Sequence, residues 1–160
     1  MISHEFDPER DLRIQRVMRA PKERVWKAWT DPELLQKWWV PAPTVARIER
    51  LDPTAGGAFV TTMSEDGQNF VPHTDGIFLL VESESRIVFT NAISSSWHPA
   101  LPVPIGMTAE ITLSSHAEGT DYRAIVRHAD SQARATHEEL GFFDGWGAVT
   151  EALAKLAESL

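Results

Sequence analysis

Six strand-like segments separated by turn residues fill the middle of the chain, and they constrain its fold most. They span residues 45–51, 58–64, 70–81, 86–91, 107–115 and 120–128. No stretch between them has a helical period long enough for a parallel crossover, so neighbouring strands should pair as antiparallel hairpins. Residues 12–19 alternate apolar and polar side chains and add a further strand. The pattern predicts a curved antiparallel sheet of about seven strands.

A long amphipathic helix is predicted near the end of the chain, over residues 137–160. Its apolar side chains recur every three or four positions, as on one helix face: Leu140, Phe143, Trp146, Val149, Leu153, Leu156 and Leu160. Two short helices are predicted after the first strand, starting near Pro21 and Pro32. Since the sheet must bury its apolar face, we expect the long helix to cover it. The expected fold class is α+β, with a tail at 1–10 and a single domain at 11–160.

Charge and composition exclude several classes of function. The 160 residues carry a net charge of −8, which repels phosphate backbones, so nucleic acid is not an expected partner. No segment has the roughly 18 consecutive apolar residues that span a bilayer, and no signal pattern opens the chain. We therefore expect no membrane insertion and a cytoplasmic location. The absence of cysteine excludes disulfides and thiolate metal sites.

Several ordered motifs carry a family resemblance. Residues 20–39, APKERVWKAWTDPELLQKWW, are followed by Pro41, by Gly56-Gly57, by the strand at 86–90 and by Gly145-Trp146. Together they resemble bacterial homologues of the heat-shock-protein-90 ATPase activator, within the START-like or SRPBCC superfamily. The resemblance implies a helix-grip fold, in which the sheet wraps around the last helix and encloses a cavity. It implies no catalytic residue and no cofactor.

An internal cavity for an apolar or aromatic molecule, lipid-like or polyketide-like, is the leading functional hypothesis. Strand alternation and helix position predict an aromatic lining of Trp39, Phe59, Phe78, Phe89, Trp97, Tyr122, Phe143 and Trp146. Most of the six tryptophans should also act as core anchors, because large aromatic side chains usually serve packing. If those near the two short helices are exposed, a homodimer is a further option.

Two features near this cavity have alternative interpretations. Trp97 lies in the proline-rich loop at 92–106, which is either a lid over the cavity or an exposed hairpin tip. Arg16 falls on the apolar face of the first strand. It could orient an anionic ligand group, turn outward at a β-bulge, or pair internally with Glu49.

Polar residues on the predicted strands suggest two alternative functions. His73 shares a strand face with Asp75, and His128 shares one with Tyr122, so a cyclase or hydrolase could use them for acid–base chemistry. No paired-histidine spacing occurs on a predicted helix, so no metal is expected. The third hypothesis, from the resemblance, is a module that modulates a chaperone ATPase.

Overall fold

The structure is a computed structural model that describes residues 5–160. Within those residues it has seven strands and four helices. In chain order they are β1 (Asp11–Met18), α1 (Lys22–Thr30), α2 (Pro32–Leu35), β2 (Val45–Leu51), β3 (Ala58–Ser64), β4 (Val71–Glu82), β5 (Arg86–Thr90), β6 (Thr108–His116), β7 (Gly119–Arg127), α3 (Ser131–Glu139) and α4 (Phe142–Ser159). None of these helices is long and apolar enough to cross a membrane. The predicted α+β helix-grip fold is confirmed.

The seven strands form one antiparallel sheet in the order β1-β7-β6-β5-β4-β3-β2. Consecutive strands from β2 to β7 pair antiparallel, through short connections except between β5 and β6, which are joined by the long loop at 91–107. The register shifts in three pairings, all involving β2, β3, β4 or β5. Bulges of this kind bend a strand and increase its local twist, so they favour a curved sheet here. The concave side can therefore surround a helix.

The core lies between the sheet and α4. Leu153, Ala154 and Ala157 on α4 are fully buried, and α4 packs against α1 and β1. The short helix α2 begins at a local start signal, because the Glu33 amide donates to the Asp31 carboxylate at 2.9 Å and Pro32 occupies the first turn. These caps fix where the aromatic residues following α2 enter the core.

The predicted long C-terminal helix is confirmed as α4, but its predicted start near residue 137 is wrong, because the chain breaks between α3 and α4 at Gly141. Gly141 has a φ of 94°, in the left-handed region, and its amide donates to the Glu138 carbonyl at 3.0 Å. A left-handed glycine after the last helical residue is a common helix terminator. The break changes which side chains face inward: Leu140 and Phe143 are exposed, whereas Phe142 is buried.

Replacing Gly141 with alanine should destabilise the protein by about 1–2 kcal/mol, because a Cβ disfavours the left-handed conformation. A Cβ added at Gly141 would have no heavy atom within 4 Å, so a steric clash does not add to this cost. Gly145→Ala, within α4, is the control and should instead stabilise by about 0.5–1 kcal/mol. Urea unfolding of both variants measures the difference, and equal changes would contradict the role assigned to Gly141.

The described part of the predicted N-terminal tail contacts the first strand. The guanidinium carbon of Arg13 lies 4.4 Å from the centre of the Phe6 ring, and the Asp7 amide donates to the Asp11 carboxylate at 2.8 Å. The rest of the predicted tail, residues 1–4, lies outside the described residues. Residues 6–11 therefore form an ordered turn that leads into β1.

Tryptophans of the two short helices do not offer the exposed surface that a homodimer would need there. Trp29, Trp38 and Trp39 are buried, and Trp26 is half-buried against the core. Their role as core anchors agrees with the sequence expectation. A homodimer stays a prediction.

Candidate ligand cavity

A cavity of about 470 Å³ lies between the concave side of the sheet, the α1–α2 segment and the first turns of α4. Its volume falls in the range of about 300–1,000 Å³ that is typical of small-molecule sites. Its walls are formed by Trp29, Trp38, Trp39, Pro41, His73, Thr74, Asp75, Phe89, Asn91, Ser94, residues 100–105, Met107, Tyr122, His137, Gly145, Trp146, Val149 and Thr150.

Three tryptophans make the aromatic wall of the cavity. Trp29 meets Trp38 and Trp39 edge-to-face, with ring centroids 4.9 Å and 5.4 Å apart. Phe89 on β5 lies 5.9 Å from both Trp29 and Trp39. The Trp38 indole also donates to the Ala28 carbonyl at 3.0 Å, which fixes its orientation. Edge-to-face packing and buried hydrogen bonds together make this wall rigid.

Tyr122 supplies a neutral hydroxyl to the cavity. Its oxygen accepts a hydrogen bond from the Trp29 indole at 3.2 Å. Burial raises the pKa of Tyr122 well above its usual value, since a phenolate would be desolvated there. The hydroxyl forms no second hydrogen bond within residues 5–160, so its proton is available to a ligand.

A pair of histidines stands at the α3 side of the cavity. His128, just after β7, places Nδ1 2.8 Å from the Arg10 carbonyl and Nε2 2.8 Å from Nδ1 of His137. His137 lines the cavity, and its ring meets Phe142 edge-to-face at 5.1 Å. Burial, with a smaller contribution from repulsion by His128, lowers the pKa of His137 to about 4. His137 is therefore neutral at physiological pH.

Polar side chains of β4 line another part of the wall. The Trp39 indole donates to the Thr74 hydroxyl at 3.3 Å, and the His73 ring lies 3.1 Å from the Thr61 hydroxyl. The Asp75 carboxylate accepts from the Ser95 amide at 2.8 Å. These bonds occupy the polar groups on β4 with neighbouring protein groups and connect β4 to the loop that follows β5.

Residues 100–105, which we call the proline strap, form one side of the cavity. Asn91 ties its end in place by donating to the Ile105 carbonyl at 3.1 Å. Leu101 and Val103 line the cavity, yet their exposed fractions are 97% and 94%. The strap thus has apolar side chains at the cavity that the protein itself leaves uncovered.

Comparisons with known proteins place the chain in a family. Residues 19–158 match the family model described as "Activator of Hsp90 ATPase homolog 1-like protein". The chain belongs to this family. The match confirms the resemblance found in the sequence. The chain has no significant match among curated proteins.

Solved structures of several bacterial proteins share the fold of this chain. A protein from Nitrosomonas europaea is 38% identical, with a TM-score of 0.85 over 96% of this chain and 97% of that one. A protein from Chromobacterium violaceum is 26% identical, with a TM-score of 0.72 over 93% and 98%. An AHSA1-like protein from Aeromonas hydrophila, 20% identical, has a TM-score of 0.69 over 93% and 92% and shows the fold alone.

Five of the side chains predicted for the site lie on the cavity wall. They are Trp39, Phe89, Tyr122, Trp146 and His73. Each comes from a different element or connecting segment, so the fold brings together residues that are distant in sequence. Their contact with a ligand stays a prediction.

Three of the predicted aromatic residues do not line this cavity. Phe59 and Phe78 are fully buried and stack on each other with ring centroids 5.2 Å apart, so they belong to the core behind the wall. Phe143 is 51% exposed, because the helix break turns Phe142 inward instead. An aromatic side chain can thus lie on the strand face that was predicted to line the cavity and still be buried in the core.

Trp97 does not line the cavity either. Its side chain is 69% exposed, and its indole donates to the Gly56 carbonyl at 2.9 Å. It lines a separate depression together with Ile77 and Leu79. The predicted loop does reach the cavity, but through the proline strap. A lid role for the strap stays a prediction.

The two remaining candidates, Arg16 and His128, act away from the cavity wall. Arg16 pairs with Glu151 of α4, whereas Glu49 accepts a hydrogen bond from Thr62 at 2.9 Å. Arg16 therefore forms an ion pair with a partner other than Glu49, and the pair is partly exposed rather than internal, with exposed side-chain fractions of 35% and 45%. His128 lies behind His137 and reaches the cavity only through it.

Sequence reasoning missed His137 as part of the site, although it did expect the loop that contains the strap to lie at the cavity. In the sequence, His137 is distinguished only by its position as the first residue of the predicted long helix, just before the apolar stripe begins. No group of three or more His, Cys, Asp or Glu side chains that could hold a metal ion occurs in the part of the chain that the structure describes.

Proposed function

We propose that this protein binds a small apolar or aromatic molecule in the cavity. The observation that carries the proposal is the wall formed by Trp29, Trp38, Trp39 and Phe89, which faces about 470 Å³ of space. The apolar side chains that line the cavity and remain exposed to water include Leu101 and Val103, with exposed fractions of 97% and 94%. An apolar ligand would remove such surface from water at roughly 25 cal/mol per Å².

The mixture of groups also supports a binding site. Small-molecule sites are mainly apolar, with a few polar groups that fix the ligand's orientation. Here those polar groups are Tyr122, His137 and Thr150. The rigid packing of the tryptophans favours binding further, since a preformed wall needs little ordering when the ligand enters.

The two alternatives from the sequence have weaker support. For a cyclase or hydrolase, the Asp75 carboxylate and the His73 ring are already engaged by neighbouring protein groups. A module that modulates a chaperone ATPase rests on the family's description alone. A lipid-like or polyketide-like metabolite and a cytoplasmic location remain part of the binding proposal.

The uncharged dye N-phenyl-1-naphthylamine tests the proposal. Its emission should rise in a saturable way when the protein is added, because the dye leaves water for an apolar wall. The melting temperature should rise with dye concentration, since a ligand at 100 times its Kd stabilises the native state by about 2.7 kcal/mol. Titration by fluorescence and thermal unfolding in parallel measures both effects.

Competition separates cavity binding from adsorption on the exposed surface around Trp97. A non-fluorescent aromatic compound in excess should displace the dye from a saturable site. Emission that rises linearly without saturation, together with an unchanged melting temperature, would overturn the proposal.

A further inference from the structure

The hydrogen bonds of the histidine pair have a direction. The Arg10 carbonyl can only accept, so Nδ1 of His128 must carry the proton in their 2.8 Å contact. In a neutral ring, Nε2 of His128 is then the acceptor, and Nδ1 of His137 must donate to it at 2.8 Å. With both rings neutral, Nε2 of His137 has an unprotonated lone pair.

This lone pair belongs to a residue on the cavity wall. His137 lines the cavity, and its Nδ1 is already used by His128. Nε2 forms no hydrogen bond within residues 5–160. We propose that His137 Nε2 is a hydrogen-bond acceptor that selects ligands carrying a hydroxyl or a similar donor on an otherwise apolar framework. This inference rests on the proposed function and names the class of ligand.

The surroundings of His137 make this selection effective. Phe142 packs edge-to-face against the ring at 5.1 Å, and Trp146 stacks on Phe142 with centroids 5.5 Å apart. A ligand without a donor would displace water from Nε2 and leave the lone pair unsatisfied beside aromatic rings, which is unfavourable. The low pKa of His137, about 4, keeps the lone pair free of a proton at neutral pH.

The matched pair 2-naphthol and 2-methoxynaphthalene tests the inference, because the two share a ring system and only the first can donate. Isothermal titration calorimetry at pH 8, where free imidazole is neutral, should give about tenfold tighter binding of 2-naphthol. His137→Asn removes Nε2 but keeps an amide N–H where Nδ1 stood, so His128 stays paired. In this variant the two affinities should become nearly equal.

Tyr122→Phe tests a second polar group on the wall, the hydroxyl of Tyr122. If His137 is the selecting group, this variant still prefers 2-naphthol. Loss of the preference in Tyr122→Phe with its retention in His137→Asn would overturn the assignment. Equal affinity of the wild type for both compounds would overturn the inference and leave the proposed function standing. Binding of neither compound would overturn both.

The ring tautomer gives a measurement that needs no ligand and no variant. Long-range ¹H–¹⁵N spectra of the histidine side chains at pH 8 should show His137 protonated at Nδ1 and unprotonated at Nε2. The opposite tautomer would overturn the inference, because Nε2 would then be a donor toward the cavity.

Discussion

Gly145→Leu is expected to lower the affinity for N-phenyl-1-naphthylamine at least about tenfold, equivalent to 1.4 kcal/mol. Gly145 lies on the cavity wall in α4, and a Cβ added there would have no heavy atom within 4 Å. A leucine side chain would therefore extend into the space that the dye needs. The fold should tolerate the change, because glycine inside a helix costs about 0.5–1 kcal/mol relative to alanine. Fluorescence titration and thermal unfolding measure the two effects.

Gly147→Leu is the matched control. Gly147 lies two residues further along α4, has equally open space around an added Cβ, and does not line the cavity. It should gain similar helix stability and keep its affinity for the dye. If both variants bound the dye as tightly as the wild type, the dye site would lie elsewhere and the proposed function would lose its support.

Trp29→Ala is expected to give the largest loss of stability, about 3–5 kcal/mol. Trp29 is 1% exposed, and its ring contacts Trp38, Trp39 and Phe89. Removing it would leave a void among rigid aromatic neighbours and would also remove the donor to Tyr122. The free energy of unfolding from urea titration measures the loss.

Trp97→Ala deletes the same side chain at an exposed position. The Trp97 indole makes one hydrogen bond, to the Gly56 carbonyl, and the side chain is 69% exposed. The free energy of unfolding should fall by about 1 kcal/mol, close to the contribution of a single hydrogen bond. If Trp97→Ala lowered the free energy of unfolding as much as Trp29→Ala does, the division between wall and surface tryptophans would be contradicted.

The sheet could be predicted from the sequence because its signals are local. Clean alternation, as in β6, and short turns define each hairpin without reference to the rest of the chain. Start signals such as Asp31-Pro32 also act within one helical turn. Strand positions and the two short helices therefore follow from neighbouring residues alone.

The helix break could not be predicted because Gly141, Gly145 and Gly147 look alike in sequence. Of these three, Gly141 alone adopts a left-handed φ. The error carried over to the site, since a break turns Phe142 inward in place of Phe143. A shift of one residue in a helix moves a side chain by roughly 100° around the axis.

The cavity lining could be predicted only in part. It depends on which aromatic side chains pack inside the core and which of them border the cavity. Phe59 and Phe89 both face the concave side, and their rings are 5.2 Å apart, yet only Phe89 reaches the cavity. His137 was missed for a related reason, since its partner His128 reaches it from another element. Such pairings depend on three-dimensional packing and leave no periodic signal.

The strand order has a consequence for how the chain folds. β1 is the first strand, but its partner is the last one, β7, with Asp11 opposite Arg127. While the chain is being synthesised, β1 therefore stays without its strand partner until β7 has left the ribosome. Pairings this distant in sequence slow folding, because the loop-closure entropy is lost before the contacts form. Until then the apolar side chains of β1, Leu12 and Met18 among them, remain open to association with other chains.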